Sequence, residues 1–266
     1  MENTMILGKN NYYSLDSHRT GLNNNVCIVG ASGAGKTRSV VIPNLLMATG
    51  SYIVTDPKGN LYEQYGDYLR KKGYKVKKLD FTDPKNSAHY NFFHYIHEPM
   101  DIFKVAHMIV YEEQGRKNLD PFWDQSAEML LTALIALLIE HDKKDVEVPW
   151  RILMLLELAK MDSDSLSSQT TLGRQFNRHR EQYPDSWACK QYDAISVAPE
   201  RTWNSIVVTL AAKLRNFEVE EIKELMAYDD IDIISSEIGA YCRRIPNNNY
   251  EYEEETDSSD ITWLFS

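Results

Sequence analysis

The sequence predicts an α/β fold, an incomplete parallel sheet with covering helices, joined to an all-helical subdomain. Three observations predict it. An apolar run, Val26, Cys27, Ile28 and Val29, feeds directly into GASGAGKT at Gly30–Thr37. Strand and helix signals alternate with short turns as far as Phe81. From Pro99 to Tyr228 strand signals vanish and helical signals follow one another.

The elements follow in order. Val26–Val29 is expected as a strand, and Gly30–Thr37 as a glycine-rich phosphate loop of the Walker A pattern. Gly30, Gly33 and Gly35 give the backbone conformations that turn successive N–H groups onto phosphate oxygens. Ala31, Ser32 and Ala34 are small enough to leave that backbone accessible. A helix starting near Lys36 adds the positive end of its dipole. Lys36 supplies a point charge for the outer phosphates, and the Thr37 hydroxyl a ligand for Mg²⁺. The cofactors implied are ATP and Mg²⁺, in a P-loop NTPase. Pro43 is expected to kink or end the helix.

Ser51–Asp56 (SYIVTD) reads as a second, buried strand, and Asp56-Pro57-Lys58-Gly59 as a turn. Asp56 could touch Mg²⁺ or water, or it could serve only the turn; for Lys58 the turn is favoured over a phosphate contact. A helix is expected from Leu61 to Lys72, with Leu61, Tyr65 and Leu69 on one face and Gly73 as its stop. Tyr74–Phe81 is a third strand. Arg70, Lys71, Lys72, Lys75, Lys77 and Lys78 form the densest basic cluster. They complement a helix C-terminus and guard a strand edge better than they make a DNA-facing patch.

Helices then run in series. Pro121–His141 is apolar all round in its middle and should lie at the centre of a bundle. Its most apolar part, Met129–Ile139, is shorter than the ~20 residues needed to cross a bilayer. Pro149 should open a helix through Met161. Glu200–Phe217 places Trp203, Ile206, Val207, Leu210 and Leu214 at helical spacing, and Val219–Met226 is a further helix. Arg201 reads as a solvated residue near a helix start. Pro246–Asp260 (PNNNYEYEEETDSSD) is acidic and aperiodic, and disorder is expected there. The expected division is 1–98 for the nucleotide-binding part, 99–230 for the helical subdomain and 231–266 for a divergent acidic tail.

Composition excludes several classes. A formal net charge of −10 provides no global field toward nucleic acid or anionic lipid. Cys27, Cys189 and Cys242 fall in no ligand-like pattern, and the seven histidines show no paired spacing for a metal. Met1–Lys9 has too little apolar length for a signal peptide. A cytoplasmic setting is expected.

Six segments together resemble the TraG-like (VirD-type) coupling proteins of conjugative type IV secretion systems, in their Gram-positive form. They are LGKNNYYSLD (Leu7–Asp16), NNNVCIVGASGAGKTRSVVIPNLL (Asn23–Leu46), SYIVTDPKGNLY (Ser51–Tyr62), YNFFHYI (Tyr90–Ile96), DPFWDQSAEMLLTALIALL (Asp120–Leu138) and APERTWNSIVVTLAAKL (Ala198–Leu214). The DPKG turn one strand after the phosphate loop is the most discriminating; Asn60 stands where most members have an acid. The resemblance implies a RecA-like, homo-hexameric ATPase anchored at the cytoplasmic face of the membrane. It would hand a relaxase–DNA complex (the relaxosome) to the secretion channel and drive single-stranded DNA through it.

The second acid such ATPases need is missing from the reading. Leu153–Glu157 (LMLLE) fits its letters but falls in a helical pattern, and Tyr52–Asp56 is interrupted by Thr55. The family places that strand after the helical domain, where this sequence turns acidic. The chain is therefore expected to be a member truncated before Walker B, with weak or absent hydrolysis. The alternative is a non-catalytic helical interaction module or inert remnant. A small-molecule P-loop kinase fits worse, because no lid segment with arginines is legible.

Overall fold

The computed structural model describes residues 4–111, 120–141, 150–161, 171–231 and 260–264. The chain divides into two compact units, one of residues 1–88 and 231–266, the other of residues 89–230.

The first unit opens with an antiparallel hairpin, β1 (Thr4–Gly8) and β2 (Asn11–Ser14). Asn10, at φ 60°, makes its tight turn. A single helical turn, α1 (Ser17–Thr20), follows; the Asp16 carboxylate accepts from the His18 and Arg19 amides at its start.

After the phosphate loop comes a wide π turn, Thr37–Val41, that continues as α2 (Ile42–Met47). Pro43 does not end the helical run: the π turn Thr37–Val41 precedes it and α2 continues through it to Met47. Proline lacks an N–H and crowds the preceding turn, and the wide turn accommodates both. Then come β3 (Tyr52–Thr55), α3 (Asn60–Lys71) and β4 (Lys75–Leu79). Gly73, at φ 95°, reverses the chain after α3. Leu45, Leu61, Leu69 and Tyr74 form the core here, with Ile42, Tyr52, Val54, Tyr65 and Val76 packed around them.

Among the described residues of this unit one expected strand is absent, and one strand was not expected. Val26–Val29 is not a strand: residues 25–30 have no regular structure, and Val29 is 90% exposed. A strand exists only where a neighbour completes its hydrogen bonds, and the described sheet offers this run none. The acidic tail, in turn, ends in a strand, β5 (Asp260–Leu264). It lies between β3 and β4, parallel to both, with Leu264 opposite Thr55 on one side and Leu79 on the other. Alternating Ile261 and Trp263 suit a strand, but the pairing that makes it one is remote in sequence. The expected disorder of Pro246–Asp260 falls almost wholly outside the described residues.

The second unit is helical: α4 (Pro99–Tyr111), α5 (Pro121–His141), α6 (Trp150–Met161), α7 (Thr171–Gln182), α8 (Trp187–Ser196), α9 (Glu200–Lys213) and α10 (Glu220–Leu225). The middle of α5 is buried continuously from Leu130 to Leu138, with α4, α6, α8 and α9 against it. At 21 residues α5 is long and apolar enough to span a membrane by length and composition, as core helices also are. Trp203, Ile206, Val207, Leu210 and Leu214 are all buried, so α9 lies on its apolar stripe. Phe176 of α7 stacks on Tyr192 of α8 at 4.0 Å, and Tyr192 meets Trp203 of α9 edge-on at 6.2 Å. LMLLE lies within α6, where Glu157 pairs with Lys160 one turn on.

Candidate functional site: the phosphate loop

Gly30–Thr37 forms an exposed loop that closes on itself. The Ala34 amide donates to the Ala31 carbonyl at 3.2 Å, and the Ser39 amide to the Gly35 carbonyl at 2.8 Å. Gly33 and Gly35 sit at φ 78° and 81°, a left-handed region where a side chain would be strained. At Gly30 a Cβ would sit 3.3 Å from the Ala34 Cβ, a tight approach. The sequence supplies glycine at the two positions where the backbone conformation demands it.

Lys36 folds back over the loop. Its ammonium donates to the Gly30 and Ala31 carbonyls, the latter at 3.0 Å. Thr37, exposed, opens the π turn; its own carbonyl accepts from the Ile42 amide. Small residues, two left-handed glycines and a lysine over the loop fit a polyphosphate with its Mg²⁺. The group would rest on the backbone of Gly30–Gly35, with Lys36 at its outer charges and Thr37 beside the metal.

Asp56 and Lys58 belong to the turn between β3 and α3. The Asp56 carbonyl accepts from the Gly59 amide at 2.9 Å, closing the Asp-Pro-Lys-Gly turn. Asp56 itself is buried. Its Oδ2 accepts from the Leu61 amide at 2.7 Å and the Tyr62 amide at 3.1 Å, capping α3. Of the two readings held open for this residue, its hydrogen bonds serve the structural one. Lys58 is exposed in the turn.

One acid was missed. Asp80 follows β4 at the same end of the sheet as Asp56 follows β3. It is buried, pairs with Lys78 at 2.7 Å, and accepts from the Thr82 amide and hydroxyl and the Asp83 amide. Burial pushes its carboxyl up, but these donors outweigh that and hold it at about 2. The Asp-x-Thr-Asp spacing after a strand is the signal that could have revealed it. The same ion pair raises Lys78, and Lys75 is exposed on β4, at the edge of the sheet among the described residues.

A self-closed glycine loop with an overlying lysine lies in an α/β unit whose sequence is interrupted by a helical unit. The family model described as Type IV secretory system Conjugative DNA transfer matches residues 2–239. The chain belongs to this family of TraG- and TraD-like conjugative DNA-transfer proteins. No curated protein matches it.

Proposed function

We propose that this chain binds ATP with Mg²⁺ through Gly30–Thr37, as the nucleotide-holding part of a coupling protein. Within type IV secretion it would link a relaxosome to the channel, at the cytoplasmic face of the membrane, and serve single-stranded DNA transfer. Assembly into homo-hexamers is part of this reading. The observation that carries it is Lys36, already folded across the loop onto the Gly30 and Ala31 carbonyls. Phosphate oxygens are stronger acceptors for an ammonium than neutral carbonyls are, so the nucleotide would take over this contact.

Bound ATP–Mg²⁺ would supply a polarised terminal phosphoryl group. The chain's own part is to hold it: loop amides on the phosphates, Lys36 on the outer charge, the Thr37 hydroxyl toward the metal. Turnover is proposed to be weak or absent. The two acids at the carboxyl end of the described sheet are engaged locally, Asp56 by the α3 amides and Asp80 by Lys78, Thr82 and Asp83. Phosphate release from the purified chain with ATP and Mg²⁺ tests this. Release near that of Lys36→Ala agrees with it; sustained release that depends on Lys36 would show a working acid.

A second reading, a helical docking module that acts without nucleotide, is favoured by one observation. The two ends of the helical unit are bonded to each other: the Asp230 amide donates to the His89 carbonyl at 3.1 Å, and the Tyr90 amide to the Leu225 carbonyl at 2.9 Å. Such a unit holds its shape through its own contacts.

A further inference from the structure

Asn44 is a polar residue in the apolar helix α2, between Ile42 and Leu45. Its side chain is bonded on every side. Its Oδ1 accepts from the Ile6 amide at 2.7 Å, and its Nδ2 donates to the Ile6 carbonyl at 2.7 Å and to the Val40 carbonyl at 2.7 Å. One acceptor and two donors are thereby satisfied, and the amide has one orientation compatible with them. To Ile6 of β1, Asn44 behaves as one residue of a neighbouring strand. Its main-chain carbonyl accepts from the Tyr52 hydroxyl of β3 at 3.2 Å.

The bond to Val40 reaches into the π turn that begins at Thr37. Pro43 withholds an amide from this turn, and Asn44 Nδ2 supplies a donor to it. A continuous series of bonds therefore runs from β1 through Asn44 to the turn carrying Lys36 at its cap and Thr37 as its first residue. Wide turns of this kind are rare and recur at functional sites.

We infer that Asn44 is a positioning residue for the phosphate loop: its side-chain amide latches the β1–β2 hairpin to the wide turn behind Lys36 and Thr37, and so sets the loop's affinity for nucleotide. The inference rests on the nucleotide-binding reading above. A latch coupled to the loop also works in reverse, because linkage is reciprocal: nucleotide on the loop protects the hairpin.

The test uses the full chain and a fluorescent ATP analogue with Mg²⁺. Asn44→Asp keeps the shape but turns a carboxylate oxygen onto the Ile6 and Val40 carbonyls. Ile6→Pro removes the partner amide. Asn44→Leu, which removes the bonds without adding charge, is measured beside them in case Asn44→Asp does not fold. Each Asn44 variant is expected to raise Kd about tenfold, as loss of one to two buried hydrogen bonds would. Ile6→Pro should act similarly, and the double variant should be no weaker than either single one. Hydrogen exchange of residues 4–14 should slow with saturating nucleotide in the wild type and not in Asn44→Leu.

Wild-type Kd values in both Asn44 variants overturn the inference, as do single effects that add in the double variant. If the wild type binds, Lys36→Ala does not and the Asn44 variants match the wild type, the inference alone has failed. If the wild type does not bind, the nucleotide-binding reading has failed and takes the inference with it.

Discussion

His89 Nδ1 lies 3.1 Å from Asp230 Oδ2, although 141 residues separate them. The His89 ring also stacks on Tyr228 at 3.9 Å. Next to this pair, Asp229 accepts from the Asn91 amide at 3.0 Å and from the Tyr95 hydroxyl at 2.8 Å. The helical unit thus begins and ends at one clasp, which lets its chain leave and rejoin the α/β sequence at adjacent residues.

Asp229→Ala should destabilise the helical unit by about 2 kcal/mol, because it leaves two donors that a carboxylate had satisfied. Urea unfolding followed by tryptophan fluorescence is the measurement. Asp229→Asn, which can keep one acceptor, should lose about half as much. Equal losses in the two variants would assign the effect to something other than these hydrogen bonds.

Acid should weaken the α/β unit through Asp80. Its folded carboxyl titrates at about 2, below its ordinary 3.8, so the folded state binds its proton less readily than the unfolded one. Its stabilisation is complete above about pH 4 and disappears as pH falls through about 2. Allowing for solvent screening, the loss is about 1–2 kcal/mol. Asp80→Asn should flatten the stability–pH curve over that window and leave its shape at pH 6–8 unchanged. A curve for Asp80→Asn parallel to that of the wild type would refute this.

Glu140, near the end of α5, holds the start of α8. It accepts from the Trp187 and Ala188 amides, both at 3.0 Å, from the Ser186 hydroxyl at 2.6 Å and from His179 Nε2 at 2.8 Å. Burial pushes its carboxyl up, but the Ser186, His179 and Ala188 donors prevail and lower it. Glu140→Gln removes the charge from a helix N-terminus and should cost about 2 kcal/mol. Ser186→Ala, which removes the α8 cap, should cost about 1 kcal/mol. Thermal melts of the two variants compare them directly; a Glu140→Gln melt equal to the wild type would contradict the assignment.

The elements legible in the sequence are those whose signal is local. Five apolar residues at helical spacing define the buried stripe of α9, and Leu61 and Leu69 do the same for α3. LMLLE reads as helix by the same periodicity. What failed depends on partners distant in the chain. Val26–Val29 is a short apolar run and Asp260–Leu264 a short alternating one; among the described residues the second has strands on either side and the first does not, and neither sequence names its partner. The left-handed conformation of Gly33 and Gly35 was legible because it is set by backbone sterics. Asn44 carried a faint signal, a single polar residue between Ile42 and Leu45, but its partner Ile6 is 38 residues away.

Calorimetric titration of the full chain with ATP, with and without Mg²⁺ and beside Lys36→Ala, tests the central claim most directly. The account predicts saturable, Mg²⁺-strengthened binding by the wild type, weakened at least about a hundredfold in Lys36→Ala, as loss of a charge-assisted contact implies. Failure of the wild type to bind, or equal binding by both proteins, would contradict it.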